Sequence, residues 1–328
     1  MNEVVENKNE CMVSVMCSTY NQSKYIRTCL DSLVSQKTNF KYEIIVKDDA
    51  STDGQQEILK EYYEKYPDKI RLLLLEENHY QHGKGEIAIE KAFKMVQGKY
   101  IAMCEGDDFW TDNDKLQTQV DFMEQHPDYS LCGHAAYYAN EDGSLRKDKF
   151  FRLSDTSREV SIEEILTNWV MATNSLLYRK DAREDIIIPF KGKCKNGDYA
   201  TMVYLALKGR VYYVDKFMSA YRVCSNSSLS QKYIKDIEFF RQTRTEYIKM
   251  LERIDDYTSK KYTNILSGYK RNCEFDLYLI TADADELKKY QDICATKPLK
   301  IKLKYFACIY FNSLYKKIKM IRRRIRLM

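Results

Sequence analysis

The chain has 328 residues, 44% of them hydrophobic and 31% charged, which excludes global disorder and leaves material for a sizeable core. That length suits one α/β domain of about 200–250 residues with a helical appendage, and 27 tyrosines beside only 11 glycines and four prolines argue against a loop-rich or all-β secreted scaffold. The net charge of +5 is a tail property: residues 299–328 hold ten Lys or Arg and no acid, leaving 43 basic against 48 acidic residues elsewhere, so the main domain has no nucleic-acid-binding face.

Residues 1–10 (MNEVVENKNE) read as a polar leader without signal-peptide character. No stretch approaches the roughly 18–20 apolar residues of a membrane span. The ten cysteines include no C-x-x-C pair, and Cys17 and Cys104 fall inside apolar runs. Buried, reduced thiols in a cytoplasmic protein are therefore expected.

In chain order, residues 11–18 (CMVSVMCS) predict a buried strand that ends on Thr19-Tyr20-Asn21. Helical spacing follows in Tyr25, Ile26, Cys29, Leu30, Leu33 and Val34. Residues 42–46 (YEIIV) predict a second strand closing on Lys47-Asp48-Asp49. A helix with Ile58, Leu59, Tyr62 and Tyr63 leads to a third strand at 70–75. An amphipathic stretch from about residue 86 to 96 precedes Gly98, a plausible helix stop. Residues 100–104 (YIAMC) predict a fourth strand, closing on Glu105-Gly106-Asp107-Asp108. This alternation implies a parallel sheet wound with crossover helices. Ligands of such sheets gather beyond the carboxyl ends of the strands, so the three polar strand ends should converge on one crevice.

Farther on, the pattern predicts a helix at 115–123, a strand at 129–138, a polar loop at 142–158 and a helix near 162–169. A strand at 175–178, a helix at 198–208 and strands at 210–214 and 218–223 follow. From residue 230 to about 296 the spacing of Ile234, Ile237, Phe240, Tyr247, Leu251 and Ile254 is helical.

Asp107-Asp108 follows a buried strand and precedes Phe109-Trp110, with Trp110 expected on the acceptor side. Carboxylates there can hold a hard cation such as Mn2+ or Mg2+, which would neutralise a diphosphate leaving group. One carboxylate can bind the metal, Asp108 in the reading adopted below, while its neighbour takes a ribose hydroxyl. The alternative is a solvated acidic turn, as expected of the similar pair Asp255-Asp256 on a late helix. Asp49 can accept from a base N–H, while Ser51, Thr52 or Asp53 would cap the next helix. Asp198 opens a helix after a flexible stretch and is either a base for an attacking hydroxyl or only an N-cap. Arg222 could reach a phosphate or serve an ion pair. Lys84, between Gly83 and Gly85, is a candidate for the diphosphate, whereas His79 and His82 lack a third metal ligand nearby.

The runs VSVMCSTYNQSKYIRTCLDSLVSQ, YEIIVKDDASTDG and GKYIAMCEGDDFWTDNDKLQTQVDFMEQHP resemble the family 2 glycosyltransferases. The resemblance covers roughly residues 11–225 and implies a GT-A type, Rossmann-like, mostly parallel α/β fold. A helical extension at 226–298 and a basic tail at 299–328 would complete the chain. The resemblance implies that Thr19, Tyr20 and Asn21 pack around the nucleotide and that Asp49 contacts the base. It also implies that Asp107-Asp108 binds ribose and metal, and that Asp198, in GDYATMVYLALKG, is the base. Inversion at the anomeric carbon by one direct displacement would follow. YRVCS stands where many members have YRxHS, so Cys224 replaces a histidine able to ligate the metal. The QxxRW motif of processive members is missing, which favours single sugar additions. The donor implied is a nucleotide diphosphate sugar, UDP-sugar by default, and the acceptor a saccharide or lipid-linked saccharide. The rivals are a sugar nucleotidyltransferase, whose Gly- and Arg-containing loop is not seen in STYNQS, and a non-catalytic nucleotide-binding protein.

Residues 301–326 interleave Tyr305, Phe306, Ile309, Tyr310, Phe311, Leu314, Ile318 and Ile321 with Lys and Arg. That is the composition of an interfacial helix drawn to anionic lipid, which would make the protein peripheral on the inner face of the cell membrane. It also suits a helix docked on the domain and ending in a solvated basic run.

Overall fold

The computed structural model describes residues 11–223 and 236–317. They form two compact units. One holds the residues up to Ile188 together with Asp198–Val223; the other holds Pro189–Gly197 together with those from 236 onward. Residues 189–197, expected within the sheet domain, thus go with the helices. Cys224 lies outside the described residues, as do the basic residues beyond 317.

The first unit is a ten-stranded sheet of β1 (Cys11–Thr19), β2 (Lys41–Asp48), β3 (Ile70–Leu74), β4 (Tyr100–Met103), β5 (Phe109–Trp110), β6 (Tyr129–Ala139), β7 (Leu145–Phe151), β8 (Arg158–Val160), β9 (Leu177–Arg179) and β10 (Arg210–Arg222). The order is β3-β2-β1-β4-β9-β6-β10-β5, with β7 on β6 and β8 on β10. The long ladders, β1–β2, β1–β4, β2–β3 and β6–β10, are parallel, and β9 joins the two parallel halves by antiparallel pairing to β4 and β6. Its helices are α1 (Ile26–Val34), α2 (Gln55–Lys65), α3 (Gly85–Phe93), α4 (Lys115–Gln125), α5 (Ile162–Thr167) and α6 (Gly197–Lys208).

Burial in α1 falls on Ile26, Cys29, Leu30 and Leu33, the single stripe its spacing predicts. These pack on Val13, Val15, Cys17, Ile44, Val46 and Ala102 from the strands, each such aliphatic side chain contributing about 1.5–3 kcal/mol on burial. The nine described cysteines are free thiols, and eight of them are buried.

Residues 142–158 are not a loop. They supply β7, an antiparallel partner of β6, and the first residue of β8. Their polar sequence (LRKDKFF in β7) belongs to a strand paired on one side only, so no apolar alternation marks it. The two late strands expected at 210–214 and 218–223 are one strand, β10, whose register with β6 shifts between Val214 and Phe217. Asp215 and Lys216 interrupt the apolar pattern there and take ion pairs with Arg152 and Asp112. Gly98 does not stop a helix, since α3 has already ended at Phe93. It lets the chain pass over β1: a Cβ at Gly98 would lie 2.4 Å from the Ser14 nitrogen.

The second unit comprises α7 (Ile237–Tyr257), α8 (Thr263–Thr281), α9 (Ala284–Leu287), α10 (Gln291–Thr296) and α11 (Leu299–Tyr310). Asp236 caps α7 by accepting from the amides of Glu238 and Phe239. The core gathers Phe275, Leu279, Leu287, Tyr290, Cys294 and Cys308. Asp255 is buried rather than at the surface, both its oxygens lying 2.9 Å from the Thr263 hydroxyl, while Asp256 pairs with Lys260 at 2.5 Å. Among the described residues no helix is long and apolar enough to cross a membrane.

Candidate active site

The loops at the ends of β1, β2 and β4 meet through side-chain hydrogen bonds. After β1, Asn21 takes a left-handed conformation (φ 50°), its amide N–H donates to the Ser51 hydroxyl, and its side-chain oxygen accepts from the Thr52 amide. The Thr19 hydroxyl lies within 2.9 Å of both the Gln22 and the Gln55 side-chain oxygens, and Tyr20 beside it is half-buried. Asp48, fully buried, accepts from Ser51, Gln55 and Gln56 and thereby shapes the turn after β2. Gly54, at φ 85°, holds the N-cap position of α2, and Asp53 before it accepts from the first helical amide, that of Gln55, at 3.2 Å. The oxygens of Asp49 accept from the amides of His79 and Tyr80, each at 3.0 Å. Asp49 therefore pins the loop that carries Lys84, whose ammonium pairs with Glu77 at 2.7 Å.

Gly106 brings the β4 loop onto this assembly. Its amide donates to the Ser18 carbonyl, and a Cβ there would stand 2.5 Å from the Thr19 hydroxyl oxygen. Beyond it, three carboxyl groups crowd together. Asp108 is 1% exposed; it accepts from the Arg222 amide at 2.8 Å and the Asn174 side-chain amide at 2.9 Å. Burial, then Asp107 and Glu105, push its carboxyl well above the usual range. Burial likewise raises Asp107, against the Gln22 side chain and the Arg222 charge. Glu105 is pushed up to about 8, first by burial, then by Asp107 and Asp198. Among the described residues, its Oε2 has no hydrogen-bond partner.

Asp198, in the first turn of α6, accepts from the Thr173 hydroxyl at 3.2 Å and the Tyr199 amide at 2.9 Å. Burial raises it to about 6, against those two hydrogen bonds. A carboxyl poised there is ionised at neutral pH yet basic enough to take a proton. The short 3-10 turn Thr173–Ser175 thus joins the two acidic sites: Thr173 holds Asp198 while Asn174 holds Asp108. Asn174 is itself fixed by the Ser219 hydroxyl and the Ala220 carbonyl.

Two expected site residues serve the protein instead. Trp110 is buried, donates its indole N–H to the Asn174 carbonyl at 3.0 Å and covers the Lys115 ammonium. Arg222 is 5% exposed; it bonds the carbonyls of Asp107, Asn140 and Glu141 and lies over the rings of Tyr25 and Phe109. Its guanidinium braces the acidic loop. Glu105, Thr173 and Asn174 are site residues that the motifs alone did not single out. The available signal was three polar residues, Thr173-Asn174-Ser175, wedged between the apolar runs VMA and LLY.

No group of three His, Cys, Asp or Glu stands at metal-ligating geometry among the described residues. The donor chemistry nevertheless fits a hard divalent cation: oxygen ligands only, crowded carboxylates and the orphaned Glu105 oxygen.

Comparison with known proteins gives the family and the fold. An uncharacterized Mycobacterium tuberculosis protein is 34% identical over 210 residues, 64% of this chain; the chain spans only 58% of that relative's length. TuaG of Bacillus subtilis, named as a teichuronic acid biosynthesis glycosyltransferase, is 30% identical over 224 residues, covering 68% of this chain and 83% of TuaG. Among solved structures, S. aureus TarS 1-349 in complex with UDP-GlcNAc superposes with TM-score 0.55 at 20% identity over 91% of this chain and 89% of that one. The Pyrobaculum calidifontis mannosyltransferase PcManGT in complex with GDP-Man and Mn2+ does so with TM-score 0.55 at 16% identity, over 97% and 87%. These two likenesses concern the fold. Residues 14–187, more than half of the chain, match the family described as glycosyl transferase family 2, and the chain belongs to that family.

Proposed function

We propose that the protein transfers a sugar from a nucleotide diphosphate donor, UDP-sugar in the first instance, to a saccharide or lipid-linked saccharide hydroxyl, with inversion. The observation that carries this reading is the link between two acidic sites, Asp108 and Asp198, through adjacent residues of one turn. A base and a diphosphate-facing carboxylate held by one short segment keep a fixed separation, as a single displacement requires. Asp198 takes the proton of the acceptor hydroxyl; that oxygen bonds to the anomeric carbon from the face opposite the leaving group. The bond from this carbon to the diphosphate oxygen breaks, and the electron pair leaves with the nucleotide. Asp49 and the loops of Thr19, Tyr20 and Asn21 seat the nucleotide, Asp107 takes the ribose, and the backbone around Lys84 borders the phosphates. A cation, Mn2+ or Mg2+, would be held by Asp108 and would supply neutralisation of the diphosphate charge.

The name of TuaG supports a place in cell-surface polysaccharide assembly, on the cytoplasmic side where nucleotide sugars are spent, and the UDP-GlcNAc complex of TarS supports a uridine donor. The test is nucleotide release from UDP-, GDP- and dTDP-sugars with added Mn2+ or Mg2+. Release from a UDP-sugar that Asp108→Ala and Asp198→Ala both abolish is expected. Full activity in both variants refutes the site.

A further inference from the structure

Helix α11 is apolar on two opposite sides. Ile301, Tyr305 and Ile309 join buried Cys308 in the core of the helical unit, beside Phe275 and Leu279. On the other side Leu299, Leu303, Phe306 and Tyr310 are 71, 62, 52 and 66% exposed. Their spacings of four, three and four residues set them in one stripe along the helix. The rings of Phe306 and Tyr310 lie 4.5 Å apart, so the stripe is a continuous ridge. Core packing does not account for it, because the inward face already holds the helix. Lys300, Lys302 and Lys304 are all exposed; at 100° per residue Lys300 and Lys302 flank the ridge on either side, and Lys304 lies farther round the helix. From residue 299 to 328 no acidic residue offsets them, and the sequence adds Lys316, Lys317 and five further Lys or Arg.

We propose that this ridge docks on the surface of an anionic lipid bilayer, the apolar side chains entering the boundary of the acyl chains and the lysines meeting the headgroups. Charge complementarity selects this occupant. A second copy laid symmetrically on the ridge would bring its lysine rows against these, like charge on like. A bilayer of acidic lipid offers both an apolar interior and a negative surface. The inference goes beyond the donor chemistry and does not depend on it.

The test is co-sedimentation of the full chain with vesicles of phosphatidylglycerol and phosphatidylcholine in equal parts, against vesicles of phosphatidylcholine alone. The chain pellets with the acidic vesicles only, and raising salt from about 0.1 to about 0.5 M releases it as screening shortens the reach of the lysines. The double substitution Leu303→Glu/Phe306→Glu weakens binding at least about tenfold, because it removes the inserted apolar area. The variant Lys300→Glu/Lys302→Glu/Lys304→Glu, which leaves every apolar residue in place, does the same and guards against a folding artefact. Unchanged circular dichroism and unchanged nucleotide release accompany both. Equal binding to neutral vesicles, binding to neither, or binding that survives either variant overturns the proposal. So does a dimer in sedimentation velocity that Leu303→Glu/Phe306→Glu turns to monomer, which would make a second copy the occupant.

Discussion

Two Asp-Asp pairs in this chain share a dipeptide and little else. Asp255 and Asp256 sit at the end of α7, where Thr263 and Lys260 satisfy them locally: one carboxylate braces the turn into α8 and the other meets a cation. Asp107 and Asp108 sit at the end of a buried strand, with Glu105 pressing its charge on them and a single arginine spread over carbonyls nearby. The first pair is neutralised by the fold. The second is a buried set of carboxyl groups whose charged forms burial and mutual repulsion disfavour, a state that folding alone does not favour. The contrast marks function by what a site lacks, and a carboxylate cluster without its own cation is a better pointer than the motif.

The contrast can be broken by substitution, beginning with the proposed base. Asp198→Asn keeps the shape but removes the base, so turnover should fall about 10²–10⁴-fold; nucleotide affinity measured by calorimetry stays unchanged. An equal loss of affinity would show that Asp198 binds donor instead. Next comes pH. Asp198 must be ionised to accept a proton and is raised to about 6. The rate should therefore be level above that value and fall toward about tenfold per unit below it. A profile flat down to pH 5 would remove the assignment.

Asn174→Ala leaves the buried Asp108 carboxylate and the Ala220 carbonyl short of a donor, costing about 1–3 kcal/mol in urea unfolding. It should also reduce transfer, because the tie between the two acidic sites is cut. Smallest of all, Asp255→Ala should cost about 1 kcal/mol of stability with no change in turnover, and Asp256→Ala nothing measurable, as expected of an exposed pair. If either of these lowered turnover, the distinction between the pairs would fail.

The sequence carried the donor half of the sheet well and the later half less well. Strands β1 to β4 are short apolar runs fenced by polar turns, so their order and the convergence of Thr19, Asp49 and Asp108 were legible. Strand β7 was missed because an edge strand with LRKDKFF needs no apolar face, and β10 was split because Asp215-Lys216 marks an irregularity of register, not an end. The internal partners of Trp110 and Arg222 were not legible for another reason. Residue type suggests contact with ligand, but burial and long-range partners decide it, and Trp110 reaches Asn174 across 64 positions. Thr173 and Asn174 act through hydrogen bonds to residues 25 and 66 positions away, which no local pattern announces.

Gly106 has a consequence for anyone building variants. The loop after β1 and the acidic loop meet there with no room for even a methyl group. A saturation library at this position should retain glycine almost alone, whereas Gly268, with open space around it, should admit other residues freely. Selection for transfer would then report the spacing of the two loops directly, and a second-site revertant of Gly106→Ala should map to Thr19 or Gln22, the side chains that would have to yield.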